Sequence, residues 1–314
     1  MSEQRAFARH ATSAVEAVLA SKRFDGDAQK NEPMARHTTY RIGGPARYFA
    51  CVNDLGSLTR LVEACASDGM PFTVVGRGSN LLVADEGYDG AVIILGRDFR
   101  TMRFDEDMSS FIVGAGATLS SLVQEAFRMG KAGLEFAVGT PGTVGGALRM
   151  NAGSRDEWIG SRVLSVTALT AGGELVRYPG ESIEWGYRTT SFRPDETLLE
   201  CEVLVDEGDP LSIHAKMESN LSKRKASQPL DKPSCGSVFR NPEGESAGAL
   251  IDRVGLKGTL VGGARISPMH ANFIVNEGDA RAADVRALIE LIQAKVNEAY
   301  GIELKPEVRF LGFE

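Results

Sequence analysis

Three glycine-rich segments, at residues 76–80, 114–118 and 139–147, constrain this chain more than any other feature of its sequence. Glycine supplies 35 of the 314 residues, about 11% where ~7% is usual, and no collagen-like period accompanies it. Glycine allows positive φ angles and lets a backbone approach its neighbour closely. The sequence therefore predicts several loops in tight contact, either with the protein's own backbone or with a ligand.

The segments around these loops indicate a mixture of helices and strands. Apolar runs bounded by turn residues predict strands over 48–52, 72–75, 91–95, 111–113, 162–170, 175–178, 198–205 and 302–311. Apolar residues at helical spacing predict helices over 12–22, 57–69, 118–130, 213–226 and 282–300. The polar segment 25–37 is expected to be a linker or an arm. Strands and helices in this order indicate either an α/β or an α+β fold.

The charge balance and the cysteine pattern limit the partners. With 35 basic and 42 acidic residues the net charge is -7, which argues against a nucleic-acid partner but permits a local anion site. No uncharged run reaches the ~20 residues of a membrane-spanning helix. The four cysteines and four histidines show no metal-ligand spacing. We expect a cytoplasmic protein with no signal peptide, metal or membrane insertion.

The standard nucleotide fingerprints are absent from the glycine-rich segments. No GxxxxGK[ST] occurs. Each of the GxG pairs at 76–78 and 114–116 could begin a GxGxxG motif, but leucine stands at the sixth position, where that motif needs glycine. Successive backbone N–H groups in such loops can nevertheless hold a diphosphate without a cationic side chain. Ordinary turns are the alternative for each loop taken alone.

Polar residues downstream form a second candidate group. Arg188 is either a surface arginine or a fixed cation for a carboxylate. Ser237 lies in a CGS sequence that also fits a turn, and Glu307 begins the last predicted strand, where a surface glutamate is the default. The residues alone leave these alternatives open.

Eight segments, in order, resemble the UDP-N-acetylenolpyruvoylglucosamine reductase family. They are TTYRIGGPA (38–46), VVGRGSNLLV (74–83), VGAGATL (113–119), FAVGTPGTVGGALRMNAG (136–153), GYRTTSF (186–192), SQPLDKPSCGSVFRNP (227–242), SPMHANFIVN (267–276) and ELKPEVRFLG (303–312). Only 48 residues separate Arg188 from Ser237. They leave no room for the tyrosine-bearing loop of some members, so the resemblance is to the shorter class.

The resemblance implies an α+β fold with three units. These are an N-terminal helix and arm (1–37), an FAD-binding domain of the vanillyl-alcohol-oxidase (PCMH) type (38–208, with subdomains 38–97 and 98–208), and a smaller α/β substrate-binding domain (209–314). The last strand (302–314) would return toward the flavin. The glycine loops would hold FAD non-covalently, through Gly76, Arg77, Gly78, Ser79, Asn80, Leu81, Gly114, Ala115, Gly116, Gly139, Thr140, Pro141, Gly142, Thr143, Gly145 and Gly146. We also expect a monomer.

The resemblance also implies a reaction, the NADPH-dependent reduction of the enolpyruvyl ether of UDP-N-acetylglucosamine to UDP-N-acetylmuramate in peptidoglycan precursor synthesis. Flavin N5 would deliver hydride to C3, Arg188 and Glu307 would stabilise the enolate-like charge, and Ser237 would protonate C2. We expect a raised Glu307 pKa, because of its pairing with Arg188. Substrate contacts are assigned to Tyr187, Arg224, Lys232, Asn241, His270 and Asn272.

Two other functions are compatible with these residues. One is a flavin oxidase or dehydrogenase of the same cofactor fold, although no His or Cys lies within the glycine loops to tether a flavin. The other is a non-enzymatic nucleotide-binding module, which would be colourless and would take up no FAD.

Overall fold

The computed structural model of the chain describes residues 13–154 and 156–313, so residues 1–12 of the predicted N-terminal unit lie outside the described residues. The described α-helices are α1 (Ala14–Leu19), α2 (Leu55–Asp68), α3 (Leu119–Arg128), α4 (Val144–Arg149), α5 (Pro210–Ser227), α6 (Ala247–Arg253) and α7 (Ala282–Tyr300). The described strands are β1 (Gly26–Pro33), β2 (Pro45–Val52), β3 (Phe72–Val74), β4 (Leu81–Val83), β5 (Tyr88–Leu95), β6 (Met102–Asp105), β7 (Ser110–Gly114), β8 (Lys131–Ala132), β9 (Val163–Leu169), β10 (Leu175–Pro179), β11 (Trp185–Gly186), β12 (Thr189–Thr190), β13 (Thr197–Leu204), β14 (Asp206–Glu207), β15 (Leu260–Val261), β16 (Ala264–Ile266), β17 (Ile274–Asn276) and β18 (Arg309–Leu311).

The first sheet has the strand order β1-β2-β5-β3. Its edge strand β1 runs antiparallel to β2 from Gly26 opposite Val52 to Pro33 opposite Pro45. The expectation of a linker over 25–37 was therefore wrong. Most β1 side chains are exposed, so the strand carries no apolar alternation that the sequence could reveal. Backbone hydrogen bonds to β2 hold it regardless of its side chains.

The second sheet is antiparallel, with the order β10-β9-β13-β7-β6. Helix α3 lies beside it and is capped by Thr118, whose hydroxyl accepts a hydrogen bond from the Ser121 N–H, as predicted. Helix α2 begins at Leu55, two residues before the predicted range of 57–69, because the Asp54 side chain caps it by accepting a hydrogen bond from the Ser57 N–H. Buried side chains from both sheets, such as Ile93 and Phe111, share one core.

The C-terminal domain packs α6 and α7 with the sheet β15-β16-β17. Three side chains from the N-terminal half, Tyr40, Ile42 and Leu82, are fully or almost fully buried in this core. Strand β18 also leaves the domain and pairs in parallel with β4. The predicted domain bounds stay a prediction, but the packing interlocks the two parts at residues 38–44 and 81–83.

The segment 302–308 departs from the predicted final strand, since only 309–311 forms one. Its backbone instead contacts the segment around Ser237. The Arg240 N–H donates to the Lys305 carbonyl at 3.0 Å, and the Glu307 N–H donates to the Val238 carbonyl at 2.7 Å. These bonds determine where Glu307 enters the interface between the two parts.

Asp85 supplies a cap that crosses between the two parts. It follows β4, and its carboxylate accepts hydrogen bonds from the N–H groups of Ala282 at 2.8 Å and Ala283 at 3.0 Å, at the start of α7. A carboxylate at a helix N-terminus satisfies unpaired N–H groups and interacts favourably with the helix dipole. Asp85 therefore stabilises the position of α7 against β4.

We expect Asp85→Ala to lower the free energy of unfolding by about 1–2 kcal/mol, because two N–H groups of α7 lose their acceptor. Asp89→Ala is the matched control, since the Asp89 carboxylate is exposed and pairs only with Arg47; it should change stability by less than about 0.5 kcal/mol. Urea unfolding measures both values, and equal effects would contradict the capping role.

Candidate functional site

One cleft of about 1770 Å³ lies between the two sheets and the C-terminal domain, and all three glycine-rich segments contribute to its lining. The cleft also contains Arg188, Ser237 and Glu307, which the fold brings together from distant parts of the sequence. Pockets for a single small ligand usually measure roughly 300–1,000 Å³. The volume is therefore suited to a dinucleotide together with a second ligand.

The loop 76–80 connects β3 to β4 and presents unused backbone donors. Its N–H groups donate to no acceptor among the described residues. Gly78 has a φ of +60°, and a Cβ there would lie 2.3 Å from the His37 carbonyl oxygen. A Cβ on Gly76 would lie 2.5 Å from Thr143 Oγ1. These glycines permit a tight bend whose free N–H groups suit an anion such as a diphosphate.

The segment 139–147 forms the facing wall and leads into α4. Gly139 and Gly142 have φ angles of +69° and +127°, and the N–H groups of Gly142 and Thr143 donate to no described acceptor. Gly146 is exposed in α4, and a Cβ there would meet only Thr143 Oγ1, at 3.5 Å. Neither the backbone angle nor protein packing requires glycine at 146, so the open space above it is available to a ligand.

The loop 114–118 differs from the other two. The N–H groups of Gly114, Ala115 and Gly116 donate to the carbonyls of Thr101, Leu199 and Phe99, at 2.9, 2.8 and 2.8 Å. Ala115 and Gly116 line the cleft, but Gly114 does not; a Cβ on Gly114 would lie 2.1 Å from the Phe99 carbonyl oxygen. We therefore correct the expectation that the glycines of this loop present free backbone donors, since both allow close backbone packing and their N–H groups are bonded to protein carbonyls.

Arg188 lies in the two-residue turn between β11 and β12, with a φ of +57°. Positive φ in a residue other than glycine costs of order 1–3 kcal/mol and is often found at functional sites. Its Nε donates to Glu307 Oε1 at 2.8 Å, and its Nη1 donates to the Gly153 carbonyl at 2.8 Å. Both bonds fix the guanidinium group at the cleft.

Glu307 is held on two sides, since its N–H donates to the Val238 carbonyl and its own carbonyl accepts from Asn80 Nδ2 at 3.1 Å. Burial raises the pKa of the Glu307 carboxyl, while the positive charges of Arg188 and Arg240 act in the opposite direction. The direction agrees with our expectation, but the expected cause was wrong. An adjacent cation favours the charged carboxylate, so desolvation raises the pKa and the pairing does not.

Ser237 follows Gly236, which has a φ of +80°, and its side chain is half-buried in the cleft lining. The next residues are anchored by Asn272, whose carbonyl accepts from the Val238 N–H and whose amide bonds both the N–H and the carbonyl of Phe239. The Ser237 hydroxyl itself has no hydrogen-bond partner among the described residues. It is therefore free to bond a ligand.

Two of the six residues assigned to substrate contacts, Arg224 and Lys232, line the cleft. Arg224 Nη1 donates to Thr140 Oγ1 at 3.2 Å, but its buried Nε has no partner among the described residues. Lys232 pairs with Glu277 at 2.8 Å. The Arg224 Nε is thus a buried donor for which the described residues supply no acceptor.

The other four residues, Tyr187, Asn241, His270 and Asn272, are outside the lining. Asn272 is buried and both atoms of its amide are occupied by Phe239, so we correct its expected role to that of positioning the Ser237 segment. Asn241 Oδ1 accepts from the Ala247 N–H at 3.0 Å, and His270 Nδ1 accepts from the Asn272 N–H at 3.2 Å. Local structure already uses these groups.

Basic side chains outnumber acidic ones in the described lining, nine to four. The basic residues are Arg41, Arg77, Arg100, Arg149, Arg188, Lys223, Arg224, Lys232 and Arg309. The sequence analysis did not identify Arg41, Arg100, Arg149 or Arg309, although the segments 38–46, 136–153 and 303–312 contain three of them. A positive cleft in a chain of net charge -7 is a local anion site.

Two other properties bear on the site. In the described part of the chain, no cluster of three or more His, Cys, Asp or Glu side chains has a geometry suited to a metal ion. No helix among residues 13–154 and 156–313 combines the length and the apolar character needed to cross a membrane.

Comparisons with known proteins agree with this arrangement. Residues 46–178 match the profile of an FAD binding domain, and residues 228–311 match that of the UDP-N-acetylenolpyruvoylglucosamine reductase C-terminal domain. The predicted α+β fold class, an FAD-binding part followed by a smaller domain, is thereby confirmed. FAD fits the cleft observed here, which offers free N–H groups at 76–80, the unpaired Arg224 Nε and open space above Gly146.

Relatives match over almost the whole length. The UDP-N-acetylenolpyruvoylglucosamine reductases of Heliobacterium modesticaldum and Geotalea uraniireducens are 45% and 42% identical, over 92% of this chain and 92% and 95% of theirs. The crystal structure of the enzyme from Thermus caldophilus superposes with a TM-score of 0.79 at 37% identity, covering 92% of this chain and 99% of that one. The chain therefore belongs to the UDP-N-acetylenolpyruvoylglucosamine reductase family of FAD-dependent oxidoreductases.

Proposed function

We propose that the chain reduces the enolpyruvyl ether of UDP-N-acetylglucosamine to UDP-N-acetylmuramate, with NADPH as the reductant and non-covalent FAD as the carrier. The observation that carries this proposal is the convergence of Arg188, Glu307 and Ser237 in the cleft that the glycine-rich segments line. An anion-binding wall and an acid-base group facing one volume are what this reaction requires. The monomeric state and the cytoplasmic location expected from the sequence stay predictions.

Bound FAD, reduced by NADPH, would supply the hydride that is added to C3 of the enolpyruvyl group. The electron pair of the C2–C3 double bond then moves toward C2 and its carboxylate, as enolate charge. Arg188 is a fixed cation for that charge, since its two hydrogen bonds hold the guanidinium group before substrate arrives. Preorganised groups of this kind stabilise a transition state without the cost of reorganisation.

Glu307 contributes through its protonation state. Because burial raises its pKa, it takes up a proton at a higher pH than an exposed carboxyl would. A neutral carboxyl donates a hydrogen bond to an enolate, whereas a carboxylate repels it. The neighbouring Arg188 balances the charge when Glu307 is ionised.

Ser237 donates the proton to C2 and regains one from solvent. A serine hydroxyl is a weak acid, but an enolate is basic enough to accept its proton. The absence of an intramolecular partner for this hydroxyl among the described residues leaves it free to bond the substrate. Arg224, Lys223 and Lys232 are the candidate cations for the substrate diphosphate.

The test is a visible spectrum followed by two additions without oxygen. We expect a yellow protein whose flavin absorbance is lost with NADPH and recovers with the enolpyruvyl substrate. Recovery with O2 but not with this substrate would favour an oxidase. A colourless protein that cannot be reconstituted with FAD would favour a nucleotide-binding module.

One feature of the cleft bears on the oxidase alternative. Cys235 lines the cleft, and covalent attachment of a flavin to cysteine requires the thiolate. Burial raises the pKa of the Cys235 thiol to about 12, so the thiolate is scarce at neutral pH. This supports non-covalent FAD.

We expect Gly146→Ala to weaken FAD binding roughly tenfold or more, because the added methyl group enters space that only the ligand needs. The apoprotein should be as stable as wild type, or more stable by about 0.5–1 kcal/mol, since alanine favours a helix over glycine. Gly172→Ala, in the exposed turn between β9 and β10, is the control. Fluorescence titration with FAD measures the affinity, and an unchanged Gly146→Ala affinity would disprove the assignment.

A further inference from the structure

Thr39 lies where three segments of the cleft meet, and nothing in the proposed mechanism uses it. Its Oγ1 donates to the Ser234 carbonyl at 2.7 Å. Its N–H donates to the Gly78 carbonyl at 3.3 Å. Thr39 therefore joins the glycine-rich loop 76–80 to the segment that carries Ser237, although it lies 195 positions before Ser234 in the sequence.

The segment 233–238 has other anchors, but they come from the C-terminal domain. The Asn276 N–H donates to the Pro233 carbonyl, and the Val238 N–H donates to the Asn272 carbonyl, each at 2.9 Å. Between them, Gly236 has a φ of +80° and no neighbouring atom within 4 Å of a Cβ position. Cys235 is buried in the same core as Tyr40, but among the described residues the hydrogen bond that joins Ser234 to the FAD-binding half comes from Thr39.

Asn80 makes a parallel link from the same glycine-rich loop. Its Nδ2 donates to the Glu307 carbonyl at 3.1 Å, and its own carbonyl accepts from the Arg309 N–H at 3.0 Å. The loop 76–80 is thus bonded on one side to the backbone of Glu307 and, through Thr39, on the other side to the segment of Ser237.

We propose that Thr39 is a positioning residue, whose hydroxyl holds the Ser237 segment at a set distance from the loop 76–80 and thereby aligns the proton donor with the bound substrate. This inference rests on the proposed function, because it gives Ser237 the role of proton donor. A small displacement of an acid-base group is enough to slow the step it serves.

The test compares Thr39→Val, which removes the hydroxyl at similar size, with Thr39→Ser, which keeps it. Flavin reduction by NADPH and FAD retention should be unchanged in both variants. Reoxidation of the reduced enzyme by the enolpyruvyl substrate should slow roughly tenfold in Thr39→Val and stay near wild type in Thr39→Ser. Equal losses in both variants, or a normal rate in Thr39→Val, would overturn the proposal.

A second readout needs no turnover. In the apoprotein, hydrogen exchange of a peptide covering 234–240 should be faster in Thr39→Val than in wild type and restored in Thr39→Ser. The loss of one anchor exposes the Val238 and Phe239 amides more often. Unchanged exchange in Thr39→Val would contradict the link.

A double variant separates this inference from the proposed function. If Thr39 acts through Ser237, adding Thr39→Val to Ser237→Ala should slow the substrate step no further, while additive losses would mean a separate action. A Ser237→Ala enzyme with normal turnover would refute the proton-donor role and the inference together. A slow Ser237→Ala beside a normal Thr39→Val would refute the inference alone.

Discussion

Replacing Ser237 with alanine is expected to slow turnover by roughly two to four decades, as the loss of a positioned general acid does. NADPH should still reduce the flavin at the wild-type rate, because Ser237 serves only the later protonation of C2. The reduced variant should therefore accumulate when NADPH and the enolpyruvyl substrate are both present. Stopped-flow measurement of the two half-reactions separates these steps.

Ser182→Ala is the matched control for this variant. Its hydroxyl donates to the Pro179 carbonyl at 2.7 Å, and the residue is outside the cleft lining. Both half-reactions should stay at the wild-type rate. Normal turnover in Ser237→Ala would mean that another group protonates C2.

Removing the guanidinium group with Arg188→Ala is expected to lower kcat/KM roughly a thousandfold, since a fixed cation at the developing charge is lost. Arg188→Lys should recover little, because a lysine cannot reproduce the paired bonds from Nε to Glu307 and from Nη1 to Gly153. Arg193→Ala is the control, since that arginine pairs with exposed Asp195 outside the cleft lining.

Arg188→Ala should also shift the pH dependence of the reaction rate in a defined direction. Burial raises the Glu307 pKa, and the positive charge of Arg188 lowers it. Without that charge the pKa rises further, so the limb of the pH–rate profile that belongs to Glu307 should move to higher pH in Arg188→Ala. Glu307→Gln should abolish the limb. A profile that is identical in all three enzymes would contradict a role for Glu307 ionisation.

Local sequence patterns predicted the regular elements well where one face is buried. The stripe of Val285, Leu288 and Ile292 marks α7, which ends at Gly301 with a φ of +66°, as expected. The edge strand β1 was missed because most of its side chains are exposed and its pairing is made by the backbone. The prediction of a long final strand was wrong because the backbone of residues 305–307 forms hydrogen bonds with residues 238–240 and does not extend the pairing of β18 with β4.

In the candidate site, too, some features could be predicted from local sequence and others depend on tertiary contacts. The segments 76–80 and 139–147 indeed line one cleft, with donors that the protein does not use. The segment 114–118 has a similar sequence, yet the N–H groups of residues 114–117 donate to protein carbonyls. The space left by the absent Cβ of a glycine is filled either by a ligand or by the chain's own backbone. Which of the two fills it depends on the segment that folds against that glycine. The amide of Asn272 is likewise occupied by the backbone of Phe239, and the Oδ1 of Asn241 accepts from the Ala247 N–H.

The sequence by itself determined the family, the elements with a buried face and the residue types that the chemistry needs, because motifs and periodicity are properties of neighbours along the chain. Only the tertiary structure decided that Tyr40 and Leu82 belong to the C-terminal core, that burial sets the Glu307 pKa, and that Thr39 bonds the segment of Ser237. Those outcomes depend on contacts between residues up to 236 positions apart. Desolvation and hydrogen-bond partners arise only when the chain has closed around them.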